Sequence, residues 1–210
     1  MKISKLHYIT ANPAHADEAC KGGVDWVQLR VKNKSDDEWK LIAQEAKRIC
    51  KMHGAKLIIN DSVKLAKIIG ADGVHLGKED MPPDEARKLL GPDFIIGGTA
   101  NTFEDIQRLA SLKVDYIGLG PFRFTQTKKN LGPLLGLKGY RELMKRCDAE
   151  NIRVPIIAIG GIQLNDVDEI LAAGIYGIAV SSSISEAADI AVAADSFILK
   201  SKNQTQYEKQ

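Results

Sequence analysis

Asp61 and Asp80 each follow a short apolar run, and the two runs are neighbours in the chain. Aspartates so placed can converge on one hard cation through carboxylate oxygens. Two carboxylates are too few to cage Mg²⁺, so such an ion would keep water and take further ligands from substrate phosphate oxygens. A plainer role stays open, with Asp61 capping a helix that begins near Ser62 and Asp80 serving as a loop acid. Arg30, Lys32 and Lys128 form a second group, suited to diphosphate because arginine offers a planar fork and lysine a mobile charge. Arg30 carries the stronger expectation, since a guanidinium ending an apolar strand is costly unless an anion meets it. Lys34 and Lys129 read as solvated charges. A third group is Gly160-Gly161 with Ser181-Ser182, which together suggest a monophosphate cup. The glycines let backbone approach a ligand closely, and the serines open a helix whose free N–H groups favour an anion. Taken singly, each is equally a tight turn or an N-cap. His75 sits inside an apolar run whose buried face the spacing does not settle, so a core histidine and a catalytic one both fit. No convincing Ser-His-Asp or Cys-His triad, P-loop or dinucleotide fingerprint is present.

These residues need elements that bring them to one place. Eight short runs rich in β-branched residues recur, at 5–10, 26–30, 56–61, 73–77, 94–99, 116–120, 155–160 and 177–181. Stretches with helical spacing of apolar residues lie between them, such as Trp39, Ile42, Ala43, Ala46 and Ile49. Gly23-Val-Asp25, Gly70-Ala-Asp72, Lys113-Val-Asp115 and Gly174-Ile-Tyr176 repeat one phrase before four of the strands. Its glycine supplies a left-handed helix cap, and the next apolar residue is expected to start the strand. Repeated βα units with continuously hydrophobic strands imply a parallel sheet covered by helices. Eight of them in about 200 residues favour closure into a (β/α)₈ TIM barrel over an open doubly wound sheet. In such a barrel the strand exits carry the active site, and the polar residues above cluster there.

The chain has 210 residues, 44% of them hydrophobic, which is read as one catalytic domain over 1–199 and a polar, frayed tail over 200–210. Lys plus Arg number 29 against 27 Asp plus Glu, and a net charge of +2 gives no global attraction to nucleic acid or a membrane surface. Cys20, Cys50 and Cys147 are odd in number and lack metal-ligand spacing, so buried thiols in a reducing, cytoplasmic setting are expected. No stretch approaches the roughly 18 apolar residues of a membrane span. The expected partners are small phosphorylated molecules, and a homo-oligomer is left open.

Gln28-Leu-Arg-Val-Lys32, Asn60-Asp61, Gly73-Val-His-Leu-Gly-Lys-Glu-Asp80, Gly118-Leu-Gly-Pro121 with Thr125-Gln-Thr-Lys-Lys129, and Ile159-Gly-Gly-Ile162 with the later serines resemble the thiamine phosphate synthase family in order and spacing. The resemblance runs from about Leu6 to Ile190. It implies that Gln28, Arg30, Lys32, Asn60, Thr99 and Lys128 contact hydroxymethylpyrimidine diphosphate, with Arg30, Lys32 and Lys128 catalytic. It further implies that Asp61 and Asp80 hold Mg²⁺, and that Thr125, Thr127, Gly161, Ser181 and Ser182 receive thiazole phosphate. The implied reaction expels diphosphate to leave a stabilised pyrimidine cation, which the thiazole nitrogen captures to give thiamine phosphate. Thr99 stands where the family often has serine, and Asn101 where histidine is common. The related thiazole tautomerases rely on a histidine near that position, so Asn101 and the intact diphosphate set favour the synthase. A non-catalytic binder of thiamine precursors is the other alternative.

Overall fold

The structure, a computed structural model, describes residues 2–124 and 133–203. Eight parallel strands pair in sequence order and close, β8 returning to β1. They are β1 (Leu6–Thr10), β2 (Trp26–Leu29), β3 (Lys56–Asn60), β4 (Gly73–Leu76), β5 (Ile95–Ala100), β6 (Tyr116–Leu119), β7 (Ile156–Ile159) and β8 (Gly177–Val180). Each lies within one residue of its expected bounds, and the closed barrel displaces the open sheet as the solution. Around it run α1 (Pro13–Lys21), α2 (Asp36–His53), α3 (Val63–Ile69), α4 (Pro83–Leu90), α5 (Phe103–Ser111), α6 (Gly136–Ala149), α7 (Val167–Ala172), α8 (Ser182–Ser185) and α9 (Ile190–Asn203).

Local sequence explains these elements. In α2, Ser35 and Glu38 exchange a capping box and three acids follow in the first turn, where the N–H groups are unpaired. Its buried face, Ala43, Ala46, Ile49 and Cys50, repeats at three and four residues. The phrase before the strands is a helix-ending turn. Gly23, Gly70 and Gly174 take φ of 91°, 61° and 93°, and Lys113 adopts the same left-handed form at 54°. The following Val24, Ala71 and Val114 donate N–H back to Ala19, Ala66 and Leu109. That bond delays the strand, which begins three residues after the left-handed position rather than at the next apolar residue. The aspartates of the phrase rivet the barrel's lower end: Asp72 accepts from Leu57 N at 3.0 Å, and Asp115 from Ile96 N at 2.7 Å.

Side chains alternate between two separate apolar clusters. One fills the mantle between sheet and helices, and the other, including Ile9, Trp26, Ile58, Ile95, Tyr116 and Ile157, fills the lumen. The chain end departs from expectation: α9 continues through Asn203, so a boundary after residue 199 would cut a helix in which Ser201 is buried. All three cysteines are free and buried. Among the described residues, no helix is long and apolar enough to cross a membrane.

His7 lies in the lumen, stacked on Trp26 at 4.4 Å and edge-on to Tyr116 at 4.9 Å, with Nε2 3.1 Å from Ser4 O. Burial, reinforced by His75, pushes its pKa from 6.5 down to about 3 against the opposing Ser4 contact. Above pH 6.5 the ring is neutral folded or unfolded; below it, only the unfolded chain readily takes the proton. Stability therefore falls by about 1.4 kcal/mol per pH unit as pH drops from 6.5 towards 3. Urea unfolding across that range should show a slope shallower by one proton in His7→Phe; an unchanged slope would remove His7 as the cause.

Candidate active site

The carboxyl ends of the strands surround a cavity of about 410 Å³. Its floor is polar because period-two alternation brings Gln28, His75, Thr99 and Tyr116 inward from four strands. His75 Nδ1 lies 3.0 Å from the Tyr116 hydroxyl and its Nε2 3.0 Å from Thr99 Oγ1. Gln28 hydrogen-bonds the same tyrosine, whose pKa burial drives far upward, so the phenol stays protonated. Small residues make this packing possible: a Cβ on Gly97 would stand 2.2 Å from Tyr116 Cζ, and one on Gly118 3.0 Å from His75 Cε1. Asn60, nearly buried, ends β3 beside this floor.

Asp61 follows at φ 66°, its N–H donating to His75 O at 2.8 Å. Ser62, not Asp61, caps α3, its hydroxyl accepting from Leu65 N, which leaves the Asp61 carboxylate for the cavity. Asp80 lines the same cavity and accepts from Gly77 N at 2.6 Å. Burial, with Asp61 beside it, holds the Asp80 carboxyl above the ordinary range despite that N–H. Lys32 Nζ sits 2.5 Å from Asp61 Oδ2. The two aspartates thus meet, and among the described residues no third His, Cys, Asp or Glu completes a metal-binding cluster with them. A pair of carboxylates this close is a donor set for a hard cation that keeps water and borrows other oxygens. Asn101 donates its side-chain amide to Gly120 O, tying the β5 exit to the β6 exit.

A smaller cavity, about 90 Å³, opens between the ends of β7 and β8 beside Gly160, Gly161, Ser181 and Ser182. Arg30, whose N–H pairs with Thr10 O, lines both this cup and the larger cavity. The helix expected to start at the serines is the four-residue α8, too short for an appreciable macrodipole, so any anion there depends on individual N–H and hydroxyl donors. Thr125, Thr127 and Lys128 lie outside the described residues. Sequence reasoning missed Tyr116 and Lys78, the latter paired with Asp105 at 2.6 Å on the rim. It left His75 unassigned; Val74 and Leu76 pack into the mantle, which by alternation turns His75 inward.

Fold and site together define a class: a (β/α)₈ barrel enzyme whose C-terminal mouth gathers cationic and carboxylate side chains beside a glycine-serine cup. A family model described as thiamine monophosphate synthase matches residues 4–184. Thiamine-phosphate synthase of Bacteroides fragilis is 51% identical over 171 residues, 81% of this chain and 84% of that protein. That of Flavobacterium johnsoniae is 49% identical over 189 residues, 87% of this chain and 89% of the relative. The solved thiamine phosphate pyrophosphorylase from Pyrococcus furiosus superposes with a TM-score of 0.83 at 29% identity, covering 95% of this chain and 96% of that one. The chain belongs to the thiamine monophosphate synthase family, and is accordingly a transferase.

Proposed function

We propose that the chain joins hydroxymethylpyrimidine diphosphate to thiazole phosphate, forming thiamine phosphate and releasing diphosphate. The observation that carries this reading is the position of Arg30, shared between a cavity edged by paired carboxylates and a cup edged by glycine and serine. One guanidinium then lies between two anionic substrates. Gln28 and Asn60 orient the pyrimidine from the lumen side, and Thr99 presents a hydroxyl held by His75. Arg30, Lys32 and Lys128 neutralise charge gathering on the departing diphosphate, and no strong base is required of the chain. Asp61 and Asp80 are the residues that would hold Mg²⁺, which when bound supplies further positive charge to the diphosphate oxygens. Thr125, Thr127, Gly161, Ser181 and Ser182 receive the thiazole phosphate and bring its ring nitrogen to the pyrimidine methylene. The commitment of the Asn101 amide to Gly120 O supports this reading over tautomerisation, which would draw on a histidine near that position.

Purified protein given both precursors and Mg²⁺ should yield thiamine phosphate and diphosphate in equal amounts by chromatography. Absence of product, with tautomerised thiazole found instead, would replace this reading with the isomerase. Within it, Gly161→Val should raise KM for thiazole phosphate by about tenfold or more with little change in that for the pyrimidine diphosphate. A Cβ there would stand 2.5 Å from Arg123 Cγ, and φ of 68° strains a β-branched residue. Equal KM values in variant and wild type would count against the cup.

A further inference from the structure

We propose that Arg123 is a positioning residue that holds three consecutive backbone N–H groups after β7 ready for a phosphate. The proposal rests on reading the β7–β8 cup as the monophosphate site. Three successive carbonyls of the turn are taken from one side by the chain leaving β6. Phe122 N donates to Ile159 O at 2.8 Å, Arg123 N to Gly160 O at 3.0 Å, and Arg123 Nη1 to Gly161 O at 3.1 Å. A trans peptide points its N–H opposite its carbonyl. The N–H groups of Gly160, Gly161 and Ile162 are therefore turned away from the β6 exit, and the same three residues line the cup. Successive N–H groups on left-handed residues make an anion-binding concavity, and Gly160 and Gly161 stand at φ 103° and 68°.

The third carbonyl has no backbone donor among these contacts; the guanidinium supplies it. Asp166 fixes the guanidinium in turn, with Nη1 on Oδ2 at 2.9 Å and Nη2 on Oδ1 at 2.7 Å. Asp166 Oδ2 also accepts from Gln163 N at 2.7 Å, so the clamp grips the turn at two points. Arg123 further lies over the Phe122 ring, 5.0 Å from its centroid, and that ring stacks on Tyr140. Because Asp166 neutralises the arginine, its contribution to the cup is geometry rather than charge.

The test compares kcat/KM for thiazole phosphate with that for the unphosphorylated thiazole alcohol in wild type, Arg123→Ala and Asp166→Asn. Wild type should prefer the phosphate, and Arg123→Ala should cut that preference by about tenfold, the scale for losing a residue that orients a binding group. Reaction with the alcohol and KM for the pyrimidine diphosphate should stay at wild-type values, whereas a merely structural defect would lower both thiazoles together. Asp166→Asn should cut the preference as well, although it removes a negative charge near the phosphate; a role through charge would raise it. If Arg123→Ala does not fold, Asp166→Asn carries the decision alone. A wild type indifferent to the phosphate would overturn the cup itself. A clear wild-type preference, left intact or increased in the folded variants, would overturn the role of Arg123 alone.

Discussion

Arg30→Lys should lower kcat by about 10²–10³, roughly 2.7–4 kcal/mol, while the protein keeps its fold. The residue follows β2 outside the apolar clusters, and the bond that anchors it in the barrel, N–H to Thr10 O at 2.9 Å, belongs to the backbone and survives substitution. Lysine keeps the positive charge but loses the planar fork that can meet two oxygens at once. If Arg30 acts on charge that develops as diphosphate leaves, the deficit appears in kcat; if it only holds the ground-state substrate, it appears in KM. Because Arg30 also lines the cup, KM for thiazole phosphate should rise too, which sets this variant apart from one confined to the diphosphate half. Wild-type kcat and KM for both substrates would place Arg30 outside the site.

Asp80→Asn should cost a similar factor, about 10²–10³ in rate, and should shift the Mg²⁺ concentration needed for half-maximal activity upward. Asparagine can still accept from Gly77 N, so the turn is preserved and the change falls on charge. The opposite effect is expected on stability without metal. The folded-state pKa of Asp80 is raised above its ordinary 3.8 by burial and by Asp61, so the folded chain holds that proton more tightly than the unfolded one. The stability this lends is present in acid and is lost as pH rises through the folded value, leaving a charged carboxylate that costs at neutral pH. The metal-free variant should therefore melt above wild type at pH 7, and the difference should close in acid. A variant with unaltered Mg²⁺ response and unaltered melting would separate Asp80 from any cation.

Much of the barrel was legible because strands buried on both faces read as short β-branched runs, and because one helix-ending phrase repeats before four of them. The starts of those strands were misjudged for a specific reason. Val24, Ala71, Val114 and Ile175 are apolar and buried, yet they lie in the turn that ends the preceding helix rather than in a ladder. Residues at strand exits were readable as a ring, since exit position alone puts Asp61, Asp80 and Arg30 at one end. Facing was harder to read. A four-residue strand such as β4 shows too few alternations to orient His75, and the useful signal lay on the neighbouring strands, where Gly97 and Gly118 vacate the lumen. Arg123 could not be read at all, because its partners are carbonyls, which sequence does not distinguish, and a carboxylate 43 residues away.

Those lumen glycines also bear on how this pocket could change over generations. The floor is not a rigid plate but a set of rings resting in space that two strands decline to fill. Adding one methyl at Gly118 would press on His75, which is linked through hydrogen bonds to Thr99 and Tyr116, and so lift the floor towards the substrate. Pocket depth is therefore adjustable by single-carbon steps taken deep in the barrel, far from the loops where specificity usually drifts. A lineage could narrow its choice of ring substrate this way while every charged group at the rim stayed as it was.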